Sequence, residues 1–226
     1  MSALPGMDGA AANGGGNGPL DVLSRFREPR KRPRPGEVCD MCAEPIPDEH
    51  PHVVNIETRN LMCTCRGCYL LFTHEGAAQG KYRIVPERYL TDPSFRLTDA
   101  DWQAMEIPVK IAFFFFNSSL GRIAAFYPSP GGATESLLPP EAWSEFMEGN
   151  QLFRGLAPDV EAVIARGVQD GFECLLVPID AAYELVGLVR LYWKGFDGGE
   201  EAHAQIDAFF ERLRARSKPL QSKEPA

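Results

Sequence analysis

Two pairs of cysteines constrain this chain more than any other feature of its sequence. Two residues separate Cys39 from Cys42, two separate Cys65 from Cys68, and 22 residues lie between the pairs. Cysteines at this spacing can turn tightly and offer both sulfurs to one ion, and four thiolates in two such pairs are typical of a tetrahedral structural zinc site. Because thiolates also hold iron–sulfur clusters, an Fe–S cluster is the alternative cofactor.

Cys63 leaves a second choice of ligands open. It lies two residues before Cys65, on the same side of an extended chain, and is therefore an alternative to Cys65 as a ligand. The gap between Cys65 and Cys68 repeats that of the first pair, which favours Cys65. The predicted metal ligands are Cys39, Cys42, Cys65 and Cys68, with Cys63 as the alternative.

The segment between the pairs has the pattern of a hairpin. Residues 52–56 are strand-like, residues 57–60 are typical of a turn, residues 61–63 form the returning strand, and the apolar run that ends at Phe72 favours a helix after Cys65. A tight cysteine turn, a hairpin and a second pair at a helix start are the layout of a treble-clef or zinc-ribbon finger. We predict such a finger, called here the cysteine module, over residues 37–96.

Polar residues provide a second candidate site. His50 and His52 stand near the cysteine pairs, as in zinc-supported HNH-type nucleases, where one histidine activates water beside a catalytic cation. The adjacent histidine pair and the late helix histidine of those enzymes are missing, which favours polar residues on a finger hairpin. Asp180 and Arg190 are expected to face each other across a turn, as an ion pair or a small polar site. No catalytic residues are predicted.

Charge divides the chain into two parts. Residues 1–36 hold six basic and three acidic residues, a net charge of +3. Because the whole chain has a net charge of −8, the remaining residues carry −11. An acidic remainder is a poor general binder of nucleic acid. The first 36 residues are rich in Gly, Ala, Asn and Pro and are predicted to be a disordered tail with a basic linker. No run of 18 apolar residues or export signal is present, so we expect a cytoplasmic protein without a membrane span.

The rest of the chain predicts an α+β domain over residues 97–216, an antiparallel sheet covered by helices, followed by a disordered tail over 217–226. We expect Thr98 to cap a helix, residues 107–116 and 122–127 to form a hairpin, residues 173–178 a strand and residues 200–216 a helix. A helix starting near Pro158, with Val160, Val163 and Ile164 facing inward, and a strand over 185–193 complete the prediction.

Four segments carry a resemblance to a known family: CDMCAEPIPDEHPHVVNIETRNLMCTCRGCYLLF, IPVKIAFFFFNSSLGRIAAFYPSPGGATESLL, PDVEAVI and PIDAAYELVGLVRLYWKGFDGG. Together they resemble a bacterial family of unknown function whose genes occur in operons of nickel–iron hydrogenases, over Cys39 to about Phe210. The resemblance implies an accessory protein for maturation, assembly or docking, with a hydrogenase subunit or a maturation factor as its protein partner. The alternatives are a metal-dependent HNH-like nuclease or nucleic-acid-binding treble-clef protein, and an iron–sulfur electron carrier.

Overall fold

The computed structural model describes residues 37–74, 76–136, 144–169 and 171–220. The predicted tail over 1–36 lies outside the described residues, as do residues 221–226 of the predicted C-terminal tail. The described chain has the predicted α+β architecture, with two β-sheets whose strands pair almost entirely antiparallel.

A three-stranded sheet belongs to the cysteine module, in the order β2-β1-β3. Its strands are β1 (His52–Asn55), β2 (Asn60–Cys63) and β3 (Tyr82–Ile84), and the helix α1 (Arg66–Leu70) and a 3-10 turn (Ala77–Gly80) lie between β2 and β3. The turn between β1 and β2 is closed by the side chain of Asn55, whose Oδ1 accepts hydrogen bonds from the backbone N–H groups of Glu57 and Thr58, both at 3.1 Å.

A seven-stranded sheet in the order β10-β4-β9-β8-β5-β6-β7 forms the larger part of the fold. The strands are β4 (Leu90–Thr91), β5 (Ile111–Asn117), β6 (Arg122–Ser129), β7 (Gly132–Glu135), β8 (Glu161–Val168), β9 (Gly171–Pro178) and β10 (Lys218–Pro219). The predicted hairpin is β5–β6, and β10, which pairs parallel with β4, falls in the predicted tail over 217–226.

Five further helices complete the described chain. They are α2 (Asp99–Ala104), α3 (Ser144–Gly149), α4 (Gln151–Arg154), α5 (Ile179–Tyr192) and α6 (Gly199–Arg216). Thr98 caps α2 as predicted: its hydroxyl accepts a hydrogen bond from the N–H of Asp101, whose carboxylate accepts one in return. No helix in the described ranges is both long and apolar enough to cross a membrane.

The predicted helix near Pro158 is wrong. Glu161–Val168 is the strand β8, and its first five residues are all buried because it lies in the middle of the sheet with both faces covered. A strand covered on both faces carries apolar residues without alternation, and periodicity alone cannot distinguish such a run from a buried helix.

The predicted strand over 185–193 is also wrong. It is the second half of α5, in which Ala181, Ala182, Leu185, Val186 and Val189 are buried. Their spacing of three and four residues is the helical repeat, and the many Val and Leu residues concealed it. Asp180 and Arg190 therefore stand ten residues apart on one helix, about 15 Å along its axis, and do not face each other across a turn.

Successive residues of the central strands point to opposite faces of the large sheet and enter two separate cores. Phe113, Ile164 and Leu175 lie in one core with α5 and α6. Their neighbours Phe114, Val163 and Leu176 lie in the other, with α2, α4 and the segment around Phe95 and Leu97. This alternation is the period of two expected of β-strands, and it makes the sheet the middle of three layers.

The cysteine module packs against the α5–α6 side of the sheet. Val54 and Val85 belong to that core, and Tyr69 of α1 donates a hydrogen bond to the carbonyl of Val85 at 3.2 Å. Arg83 of β3 also donates a hydrogen bond to the carbonyl of Pro158, which precedes β8, at 3.3 Å. These contacts fix the position of the cysteines relative to the start of α5.

Candidate metal centre

The four predicted cysteine ligands come together in one cluster. The sulfurs of Cys39, Cys42, Cys65 and Cys68 all lie within 4.8 Å of one another, and Cys42 Sγ is 3.7 Å from Cys65 Sγ. We call these residues the four-cysteine cluster. The structure places Cys65 in it, and Cys63 in a different group.

The first pair is held by a tight turn. Cys39 N–H donates to the carbonyl of Glu44 and Ala43 N–H donates to the carbonyl of Cys39, both at 2.8 Å, and Ala43 has a positive φ of 61°. Asp40 joins this turn to β2: its N–H donates to the carbonyl of Cys63 at 2.8 Å, and its carboxylate accepts from Cys63 N–H at 2.7 Å. The two cysteine pairs are thereby brought to the same end of the hairpin.

The second pair stands at the beginning of α1. Cys65 is the residue that caps this helix, and its sulfur accepts a hydrogen bond from Cys68 N–H at 3.4 Å. Cys68 lies in the first turn, so a two-residue gap on a helix start directs both sulfurs to the same side. The local structure therefore explains why the second pair has the same spacing as the first.

Hydrogen bonding and burial give the thiols of the four-cysteine cluster different pKa values. Burial alone would raise the pKa of Cys39, but hydrogen bonds from the backbone of Cys65, Cys42 and Met41 outweigh it and lower that pKa to about 6. Burial, together with hydrogen bonds to the neighbouring cysteine side chains, raises the pKa of Cys68 to about 12. Four thiols this close repel one another once ionised, so the cluster is suited to a cation that neutralises the sulfurs together.

The four sulfurs fit a single tetrahedral ion. Ligands at the zinc–sulfur distance of about 2.3 Å lie about 3.8 Å from one another in a tetrahedron. The 3.7 Å between Cys42 Sγ and Cys65 Sγ matches this edge. Cys39 is almost completely buried whereas Cys42 is exposed, so the cluster reaches from the interior of the module to its surface.

The four residues of the predicted polar site do not all come together: three of them are close to one another and Arg190 is not. One ring nitrogen each of His50 and His52 and the sulfur of Cys63 lie within 4.8 Å of one another, and we call these three residues the histidine cluster. Asp180 joins them, because its Oδ2 lies 2.9 Å from His52 Nδ1. Arg190 is exposed in the last turn of α5, at the other end of that helix.

Sequence reasoning missed two features of this region. Asp180 contacts His52 across 128 positions of sequence, which no local pattern reveals. In the β1–β2 pairing Cys63 stands directly opposite His52, whereas the predicted turn over residues 57–60 would place it opposite Val54. Asn55, a residue that often closes turns through its side chain, was the available signal for the correct register.

Comparison with known proteins identifies the family of the chain. The model of a family of unknown function (DUF5947) matches residues 38–217, which include both clusters and every described strand and helix except β10. The chain belongs to this family. No curated protein and no solved structure matches it significantly. Membership in DUF5947 confirms the predicted resemblance to a family of unknown function.

Proposed function

We propose that this DUF5947 protein is a non-enzymatic accessory protein in the cytoplasm, in which the four-cysteine cluster holds a structural zinc ion and a nearby surface binds a protein partner. The observation that carries the proposal is the convergence of four cysteine sulfurs within 4.8 Å. A closed set of four thiolates leaves no open position for a substrate, which is the arrangement of structural zinc rather than catalytic zinc.

The close approach of the sulfurs favours one zinc ion over an iron–sulfur cluster. A multi-iron cluster inserts several iron and sulfide atoms between its cysteine ligands and so spreads their sulfurs apart. Sulfurs within 4.8 Å of one another suit a single ion bound to all four. A purified protein that is colourless and contains zinc would support this assignment, and a brown protein containing iron and acid-labile sulfide would contradict it.

The finger type also belongs to the proposal. A tight cysteine turn, the β1–β2 hairpin and a second pair at the start of α1 follow one another in the order of a treble-clef or zinc-ribbon finger. Such a finger gains most of its folding free energy from its metal. This accounts for how a short module whose described strands have at most four residues each acquires a defined structure.

A groove beside the hairpin is the proposed docking surface. It has a volume of about 680 Å³ and runs between the β1–β2 turn, including Arg59, and Tyr183 of α5. Tyr183 is 53% exposed, although Ala182 beside it and Val186 one turn later on the helix are buried. Exposed tyrosines with one apolar face and one polar end are enriched where proteins bind one another.

Because the sequence resembles a family whose genes occur in operons of nickel–iron hydrogenases, we propose that the partner is a subunit or a maturation factor of such a hydrogenase. The test is capture of partners by the tagged full-length protein from cells growing on hydrogen. We expect Tyr183→Ala to reduce the amount of captured partner at least tenfold while leaving bound zinc unchanged. Phe196→Ala is the matched control, because Phe196 is a fully exposed aromatic residue away from the groove.

Two results would end the proposal. Capture of no hydrogenase component, together with unaltered hydrogenase activity in a deletion strain, would remove the accessory function. DNA cleavage by the purified protein with a divalent cation, lost on His52→Ala, would assign the HNH-like nuclease instead.

A further inference from the structure

We propose that the histidine cluster is a second metal site, in which His50, His52 and Cys63 bind a divalent transition ion of the zinc class. The backbone brings the three side chains together. His50 lies two residues before His52, the first residue of β1, and the centroids of their rings are 4.8 Å apart. Cys63 pairs directly with His52 across β1 and β2. Cross-strand partners hold their side chains on the same face of a hairpin.

Both imidazole rings are held in the orientation and tautomer of a metal ligand. His50 Nδ1 lies 2.8 Å from the carbonyl oxygen of Pro47, so this nitrogen carries the proton and donates it. His52 Nδ1 lies 2.9 Å from Asp180 Oδ2 and is held in the same way. On each ring Nε2 is therefore the nitrogen whose lone pair is left to bind an ion.

One of these lone pairs is otherwise unexplained. Nε2 of His50 is buried from solvent, and within the described residues it has no hydrogen-bond partner. A buried polar atom without a partner destabilises the folded protein, so native structures rarely contain one. A bound ion would satisfy this nitrogen and remove that destabilisation.

Asp180 supplies the support that histidine ligands usually have. Its Oδ1 accepts a hydrogen bond from Ala181 N–H at 2.8 Å, which fixes the carboxylate at the start of α5 while Oδ2 holds His52. Metal-binding histidines commonly donate their second ring nitrogen to a carboxylate, which makes them stronger ligands. Asp180 is thus a positioning residue for the ion, and it connects the site to the large sheet domain.

The ligand set distinguishes this site from the four-cysteine cluster. Two imidazoles and one thiolate match the nitrogen and sulfur preference of zinc and neighbouring ions, and three protein ligands leave a fourth position for water or an exchangeable ligand. His50 and His52 also line a cleft of about 960 Å³, through which an ion can reach the site. We therefore infer a weaker, exchangeable ion here beside a permanent one in the four-cysteine cluster.

Metal titration of the full-length protein tests the inference. The protein is first dialysed against a moderate chelator so that only the tightly held ion remains, and Zn²⁺ or Co²⁺ is then added against a chromophoric competitor. We expect one further equivalent to bind. The Co²⁺ form should show tetrahedral d–d bands and a thiolate charge-transfer band much weaker than that of a four-thiolate site, because one sulfur contributes.

Variants assign the second equivalent to these residues. His50→Ala and Cys63→Ser should lose it and keep the first ion, and Asp180→Asn should weaken it about 10- to 100-fold. His203→Ala is the matched control, since His203 is exposed on α6 and should leave both equivalents unchanged. Failure of the unaltered protein to bind a second equivalent would overturn the inference. So would binding of the second equivalent by His50→Ala, or loss of the first ion in Cys63→Ser. None of these results depends on the identity of a protein partner.

Discussion

At the scale of single residues, the proposed zinc site depends on the spacing of the cysteines along the chain. The two-residue gaps and the choice of Cys65 beside Cys68 follow from what a tight turn and a helix start can present, so the four candidate ligands could be predicted from the sequence. The contacts of Cys63 and Asp180 could not, because they depend on strand register and on a helix 128 positions away from His52. Local patterns predict local geometry, and such pairings need the tertiary fold.

Removal of one cysteine ligand tests the role of the ion in folding. We expect Cys42→Ala to lose the tightly bound zinc and to lower the free energy of unfolding by at least about 4 kcal/mol, because binding free energy at a structural site is folding free energy. Zinc content and urea unfolding measure both effects. Cys174→Ala is the control: this buried thiol lies in β9, and its removal should cost about 1 kcal/mol with zinc retained. Equal zinc content in both variants would contradict the assignment.

The ion pair between the buried Glu161 and the partly exposed Arg88 provides a second prediction at this scale. Glu161 is completely buried at the start of β8, and its carboxylate accepts hydrogen bonds from Arg88 Nε at 2.7 Å and from Ala157 N–H at 2.8 Å. Arg88→Ala leaves that carboxylate without its charged partner and should destabilise the protein by about 3 kcal/mol. Arg122→Ala, which breaks the half-exposed pair with Glu135, should cost less than about 1 kcal/mol in the same urea unfolding. Similar losses in the two variants would contradict a larger cost for leaving the buried carboxylate of Glu161 without its charged partner.

At the scale of secondary-structure elements, a helix or strand with one face exposed to solvent is easier to predict from the sequence than one covered on both faces. The β5–β6 hairpin, α2 and α6 could be predicted because a turn, a capping residue or a stripe of apolar residues marks them. The strand β8 could not, because both of its faces are covered and its apolar run has no alternation. In α5 the buried residues do recur at helical spacing, but valine and leucine are common in strands as well.

The two faces of α5 give a direct check of its assignment. Leu185 is completely buried against the sheet, whereas Leu191, six residues later, is 69% exposed. Leu185→Ala should lower the free energy of unfolding by about 2–5 kcal/mol, and Leu191→Ala by less than about 0.5 kcal/mol. Comparable losses at both positions would be incompatible with this helix orientation.

At the scale of the whole molecule, the cysteine module and the large sheet share a core, and the zinc proposal gives them different sources of stability. Val54 and Val85 of the module pack with residues of α5, α6 and the sheet. The second core, on the other face of the sheet, contains no residue of the four-cysteine or histidine clusters. That side of the sheet therefore has an apolar core without the cluster residues, whereas we propose that the module depends on a bound zinc ion.

Metal removal should separate these two parts. After treatment with a strong chelator, we expect hydrogen exchange at the amides of residues 37–72 to become at least about 100-fold faster, because the ion no longer holds the cysteine pairs. Amides of β8 and β9 should remain protected, since these strands pair along their whole length. Simultaneous loss of protection throughout the chain would contradict separate stabilisation of the module, and restoration by added Zn²⁺ is the control for damage by the treatment.

Zinc X-ray absorption of the purified protein, after dialysis has removed any exchangeable ion, is the most direct test of zinc binding by the four-cysteine cluster. We expect one zinc per chain with four sulfur neighbours at about 2.3 Å, and no such signal from Cys42→Ala. Absence of a tightly bound metal, or a first shell made of nitrogen and oxygen, would contradict it.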